Sequence, residues 1–266
     1  MIADFHNDYL TNENNLSVLR GYSNDKNIIV GAIFKGNKDY VYAKKLLNDF
    51  LKNKTDNLYF AFEDFSYEED LLNLSHGLLN FNPVYVGLTW NGENSLAYGV
   101  GSHGKVKRRG VYVIKQLRKR KIPLDVAHLS EEGFYDALNY TDDIVCSHTC
   151  FYDLNPHPRN LKLRHIKEIV LRNGLIGLTL YRPFLTDKPY ADLTDVVKHI
   201  DYFVQKFGYK NLAIGTDFYG CSDFPEGFSD YTFEEPLYEA LVKLGYSENA
   251  IRGVFYDNLS RFLKKA

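Results

Sequence analysis

Short apolar runs alternate with segments of helical periodicity along the whole chain, and few folds accommodate that alternation. The runs are Met1–Ala3 leading into Asp4 and Phe5, Asn27–Phe34, Leu58–Glu63, Tyr85–Trp90, Ile122–Val126, Asp143–Cys146, Leu175–Tyr181 and Asn211–Gly215. Between them, apolar residues recur at helical spacing over Asp39–Leu51, Glu68–Leu79, Val111–Lys119, Glu131–Asn139, Leu163–Arg172 and Thr194–Phe207. Glu234–Leu244, Ser247–Phe255 and Asn258–Lys264 read as closing helices. In a chain of 266 residues this pattern predicts an α/β fold, a (β/α)8 TIM barrel, as a single domain over residues 1–266. An open doubly wound sheet is the competing arrangement. No Gly-rich phosphate loop, internal repeat or proline-rich linker interrupts the chain.

The polar residues at the ends of these runs carry the chemistry. His6 and Asp8 close the first run, Glu63 the third, and His128 follows the fifth. His148 follows the sixth and Asp217 the eighth. On a strand, alternate side chains share a face, so His6 and Asp8 are expected to point the same way. Taken alone, that stretch reads equally well as an edge strand fraying into solvent. In a barrel, however, the C-terminal ends of the strands hold the active site. Three histidines and several carboxylates, without paired cysteines, suit zinc, and their number suits two ions.

Composition narrows the classes. Hydrophobic content of 45% and charged content of 25% are globular averages, enough for a sizeable core. The net charge of -2 exerts no overall pull toward nucleic acid or an anionic membrane. Cys146, Cys150 and Cys221 form an odd, sparse set, which argues for a reducing compartment and against a disulfide framework. Cys146 and Cys150 flank His148, but no second cysteine pair completes a thiolate zinc site. No basic-then-apolar leader precedes Asp4, and no apolar run approaches the ~18–20 residues of a membrane span, so a cytoplasmic location is expected. The basic clusters at residues 105–109 and 118–121 come without a stacking platform and read as solvated helix faces. His76, His103, His165 and His199 are likewise expected to be solvated.

Short pieces in a specific order complete the reading: DFHND at the start, Phe62-Glu63, Leu88-Thr89-Trp90-Asn91 with Asn94, and LDVAHLS ending at Ser130. Cys146-Ser147-His148-Thr149, His157-Pro158-Arg159-Asn160, Ile214-Gly215-Thr216-Asp217-Phe218, and Gly245-Tyr246-Ser247 before Asn258 and Arg261 follow. From Asp4 to Arg261 the chain resembles the membrane (renal) dipeptidase family of zinc metallopeptidases, as a short member. The resemblance implies a barrel of the metal-dependent hydrolase type that hydrolyses dipeptides, including those with a D-residue at the C-terminal position. It implies that His6 and Asp8 bind one zinc, His128 and His148 the other, and that Glu63 bridges them. Asp217 matches the family's proton-handling aspartate, and Arg159 the residue that grips the substrate's free carboxylate. Tyr181 is placed in the same pocket, as is Trp90, which stands where family members often carry histidine. Tyr219 stands where they often carry aspartate, and a glycine is often found near Tyr256.

The expected partner is a small dipeptide, with neither nucleic acid nor membrane, and a homodimer is an open alternative. Two other readings are a metal-dependent amidohydrolase acting on a non-peptide amide or a pathway-specific intermediate, and a metal-stabilised binding protein without turnover. Asp217 argues against the last, and Arg159, by implying a substrate carboxylate, favours the dipeptidase.

Overall fold

The computed structural model describes residues 1–12, 27–67 and 77–264. Eight parallel strands close into a barrel in sequence order. They are β1 (Ala3–Asn7), β2 (Ile28–Phe34), β3 (Leu58–Glu63), β4 (Val86–Gly87), β5 (Leu124–Asp125), β6 (Ile144–Thr149), β7 (Ile176–Leu178) and β8 (Leu212–Ile214). Each falls within or against an apolar run of the sequence. The barrel excludes the doubly wound alternative, because β1 pairs with β8 through Asp4 and Ile214.

The two faces of the strands feed two apolar clusters. Ile29, Ile33, Phe60 and Phe62 join the larger one, which includes Leu46, Leu47 and Phe50 of the helix Tyr40–Asn53. The Phe50 and Phe60 rings meet at 5.5 Å across that layer. Each such side chain taken fully out of water contributes roughly 1.5–3 kcal/mol. Ala3, Val30, Ala61, Val145 and Ala213 belong to the smaller cluster, with Leu259 of the last helix. These are the alternate positions, small enough for the space inside the closed sheet.

Helices start where the sequence supplies caps. Asp39 accepts from Tyr42 N, Ser130 from Gly133 N and Ser247 from Ala250 N. Asp192 and Asp195 form a reciprocal capping box at the helix Leu193–Phe207. The closing segment reads Glu248–Arg252, a π-helical turn Gly253–Asp257, then Asn258–Leu263.

Several expectations change. Most of the expected helix Glu68–Leu79 lies outside the described residues, and Leu78–Phe81 is a short 3-10 turn. β7 stops at Leu178, so Tyr181 instead caps the short helix Arg182–Leu185. β4 ends at Gly87, which leaves Trp90 on the loop beyond it. His165 and His199 are buried, not solvated; His103 is exposed as expected, and His76 lies outside the described residues. His199 shares the apolar stripe of Val196, Ile200 and Phe203, and its Nε2 lies 2.9 Å from Leu185 O. Its Nδ1 accepts from Phe151 N, so the ring joins a helix to the end of β6.

β1 is also tied to β8 by a side chain. The fully buried Asp4 carboxylate accepts from Thr216 N (2.9 Å), Thr216 Oγ1 (2.7 Å) and the Tyr231 hydroxyl (2.6 Å). Burial raises its pKa, and these donors oppose the rise.

Candidate metal centre and active site

Two strands of the barrel are irregular, and both carry histidines of the site. Pairing shifts register in β1 between Asp4 and Asn7, and in β6 between Cys146 and Thr149. Such shifts re-aim side chains at strand ends. His6 and Asp8 do converge, with His6 Nε2 3.4 Å from Asp8 Oδ2, but not through simple alternation on a strand. Asp8 lies beyond β1, where its N–H donates to Phe218 O at 2.8 Å. Asp217 sits just after β8 in the left-handed region, with φ 63°, and its N–H donates to His6 O at 3.0 Å. Gly220 completes this turn; a Cβ there would collide with Asp8 Oδ2 and Asp217 Oδ1.

The barrel brings the expected ligands together. Glu63 Oε2 lies 3.4 Å from His6 Nε2, and Glu63 Oε1 lies 2.8 Å from His128 Nε2. The Nε2 atoms of His128 and His148 are 2.9 Å apart. Asp217 Oδ1 is 3.9 Å from His6 Nε2. Arg159 Nη2 reaches both of the other imidazoles, at 3.0 Å from His148 Nε2 and 3.2 Å from His128 Nε2. Within this group, His6, Glu63 and His148 form one set whose ligand atoms lie within 4.8 Å of one another, and His6, Asp8 and Asp217 a second.

Whether these residues fit a divalent metal follows from the far side of each imidazole. His6 Nδ1 is 2.7 Å from the Tyr85 hydroxyl, which itself donates to Phe5 O. The Tyr85 oxygen therefore accepts, and the His6 proton sits on Nδ1. His128 Nδ1 faces the Asn91 carbonyl oxygen at 2.9 Å. His148 Nδ1 faces Ser147 Oγ at 2.8 Å, whose own hydrogen goes to Asp125 Oδ2. With each Nδ1 committed to an outer partner, the three Nε2 atoms point inward among carboxylates, the orientation a metal requires. Among the described residues, His6 Nε2 and Asp8 Oδ1 are buried without a hydrogen-bond partner. Burial and the Arg159 charge hold His128 down at about 4, and burial with His6 holds His148 well below its usual range. Both are thus neutral, as ligands must be. His6 moves the other way: burial opposes the shift, but Tyr85, Asp8 and Glu63 outweigh it, so without an ion its Nε2 also holds a proton among these carboxylates, the place a divalent cation would take. Burial raises Asp8 and Asp217, with the charge of Glu63 adding to the rise in Asp8. Glu63 is lowered despite burial, chiefly by His128. A donor set of this kind, with three inward imidazole nitrogens among crowded carboxylates, fits divalent cations.

Cys146 and Cys150 do not join the site. Both are fully buried, and burial keeps their thiols protonated.

Over the floor opens a cavity of about 680 Å³, walled by Phe34, Trp90, His157, Tyr181 and Phe184. The Trp90 ring lies 5.5 Å from Phe34 and 6.3 Å from His128. Phe184 carries the Arg159 guanidinium at 5.3 Å from its ring centre. A larger cavity of about 890 Å³, beside the helix Glu131–Ala137, meets this one at Arg159 but includes none of the three site histidines.

The model of the membrane dipeptidase family, peptidase family M19, matches residues 81–266. The chain belongs to this family. By membership it is an enzyme of the metallo-dipeptidase class. The matched range leaves His6, Asp8 and Glu63 outside, yet the barrel sets them against His128 and His148. An uncharacterised Klebsiella pneumoniae protein from the pqqA 5′ region is 30% identical over 192 residues, covering 67% of this chain and 70% of its own. The Aspergillus oryzae dipeptidase aclJ is 28% identical over 164 residues, covering 60% of this chain but only 39% of its own. The match to a Schizosaccharomyces pombe dipeptidase spans 46% of that protein, so the chain covers less than half of either fungal relative. Among solved structures, a metallopeptidase of the M19 family, dipeptidase AC, superposes with a TM-score of 0.80 at 20% identity, covering 99% of this chain and 97% of its own. A Rhodobacter sphaeroides metallopeptidase, liganded with a phosphinate mimic of the dipeptide L-Ala-D-Ala, superposes at 0.77 and 18% identity, covering 99% and 98%.

Sequence reasoning did not single out the residues that hold the family's ligands from behind. Asn91, Asp125 and Ser147 lie inside the short motifs, and Tyr85 opens the fourth apolar run. The available signal was their place beside a ligand or at the mouth of a strand. Apart from the neighbours Ser147 and His148, their partners come from other parts of the barrel.

Proposed function

We propose that the chain hydrolyses dipeptides bearing a free C-terminal carboxylate, including those with a D-residue at that position, with two zinc ions in one barrel domain. The observation that carries this reading is the inward convergence of three imidazole Nε2 atoms and three carboxylates, with Arg159 at their edge. His6 and Asp8 would hold one ion, His128 and His148 the other, and Glu63, in reach of His6 and His128, would bridge them. When bound, such a pair supplies Lewis acidity toward the peptide carbonyl and lowers the pKa of water. Asp217, partly exposed to the cavity and 3.9 Å from His6 Nε2, takes a proton and returns it to the leaving amine. The Arg159 guanidinium, held over Phe184, orients the terminal carboxylate by a forked pair of hydrogen bonds. Trp90 and Tyr181 line the cavity that would receive the substrate. The phosphinate mimic of L-Ala-D-Ala in the Rhodobacter sphaeroides metallopeptidase supports the D-residue at the second position.

The test is a panel of L,L and L,D dipeptides, each free and C-terminally amidated, assayed with zinc and with chelator. Zinc-dependent cleavage of the free compounds, L,D included, is expected, with amidated ones poor. Equal cleavage of amidated dipeptides would remove the role given to Arg159. Turnover that survives complete chelation would remove the metal.

A further inference from the structure

The outer partners of the three histidines are not equivalent. Tyr85 serves His6, and Asn91 serves His128. Ser147 touches two histidines at once. Its Oγ lies 2.8 Å from His148 Nδ1 and 3.3 Å from His6 Nδ1, and it is fully buried. A hydroxyl has one hydrogen and two lone pairs. The hydrogen is committed to Asp125 Oδ2 at 2.5 Å. That carboxylate is itself fixed through Oδ1, which accepts from Ser147 N (2.9 Å) and Ala127 N (3.1 Å). Both lone pairs are then left for the two imidazole N–H groups, with the His6 proton shared between Ser147 and the nearer Tyr85. The two rings are also in contact, their centres 3.8 Å apart.

We propose that Ser147 is a positioning residue that couples the two metal positions. The proposal rests on the ligand assignment above, in which His6 and His148 belong to different ions. With its hydrogen locked on Asp125, a single oxygen sets the tautomer and the aim of one imidazole from each ion. An ion that draws one of these imidazoles into place also fixes Ser147, and with it the neighbouring ring. The first ion bound thereby prepares the site of the second. Asn91 has no such reach, and Tyr85 bonds directly to His6 alone among the histidines, touching the other position only through Ser147.

The experiment measures zinc affinity by competition with a chromophoric chelator, in the full chain and in two single-site backgrounds. His148→Ala leaves the His6 position, and His6→Ala leaves the His148 position. Ser147→Ala is expected to weaken zinc in both backgrounds, by ~10–100-fold at the His148 position, the usual loss of an outer-partner contact. A smaller loss is expected at the His6 position, where the contact is longer and Tyr85 remains. In the full chain the same change should reduce cooperativity between the ions, leaving the part carried by Glu63. Tyr85→Phe should weaken chiefly the His6 position, and Asn91→Ala only the position of His128 and His148. Asp125→Asn, which keeps the shape but reorients the Ser147 hydrogen, should repeat the Ser147→Ala pattern in milder form. Thermal melting of the metal-free variants separates folding from binding, because a merely structural serine would lower the melting point and leave zinc affinity unmoved. A loss confined to one background overturns the coupling and leaves the metal assignment standing. Wild-type protein binding fewer than two ions overturns the assignment itself.

Discussion

The floor of the site and its rim are built on opposite terms. On the floor, His6, Asp8, Glu63, His128 and His148 are all buried, and each histidine is held from behind by a second side chain. On the rim, Trp90 is 47% exposed and packs against the rings of Phe34 and His128. Geometry that must be kept to fractions of an ångström is placed where packing and hydrogen bonds permit one arrangement. Surfaces that meet a variable substrate stand where side chains can adjust. Changes on the floor should therefore alter chemistry, and changes on the rim should alter which substrate is favoured.

The largest effect should come from emptying the floor. Chelation is expected to abolish turnover and zinc to restore it, while His148→Ala lowers the metal content and His76→Ala does not, as read by elemental analysis. Bound metal unaffected by His148→Ala would break the comparison at its root.

Next comes Asp217→Asn, which keeps the shape of the turn and removes the proton acceptor. It should retain both ions and lower kcat by ~10²–10⁴, the usual range for a general acid–base group. Steady-state kinetics alongside metal analysis decides this, and a variant that loses its ions as well would make Asp217 a ligand.

A scaffold histidine sharpens the contrast, because His199 is as buried as the floor histidines but bonded to backbone. Burial lowers its pKa from the ordinary 6.5 to about 4. The unfolded chain therefore takes up a proton at His199 between those values and the folded chain does not. Its contribution is intact above about pH 6.5 and is lost as pH falls toward 4, by up to about 3 kcal/mol. His199→Gln should flatten this part of a denaturation-versus-pH curve without changing zinc binding. An unchanged slope would mean that other groups govern the acid limb.

The smallest effect is expected at Trp90. If this ring is a wall, Trp90→Phe shifts KM and leaves kcat within a few-fold of wild type. A fall of ~10²–10³ in kcat would instead show that the indole N–H donates to the oxyanion, and would move Trp90 from the rim to the chemistry.

Much of the fold was legible because its signals are local. Runs such as Ile28–Phe34 and residues 58–62 are apolar throughout, as strands buried on both faces tend to be, and caps such as Asp39 and Ser130 mark helix starts within one turn. His199 was misread although its signal was present: Val196, Ile200 and Phe203 place it on the buried stripe of its helix. The ligand residues could be named from their positions after apolar runs and from short motifs. The register shifts in β1 and β6 left no such mark, since they depend on how neighbouring strands pair.

The sequence by itself determined the eight strands, most of the helices and the residue types that meet at the strand ends, because each follows from side chains a few positions apart. Only the tertiary structure decided which nitrogen of each imidazole faces inward. That choice depends on Tyr85, Asn91 and Ser147, of which two are distant in sequence from the histidine they hold. Closure of the barrel sets those distances, and a hydrogen bond made or missed over less than 1 Å selects the tautomer.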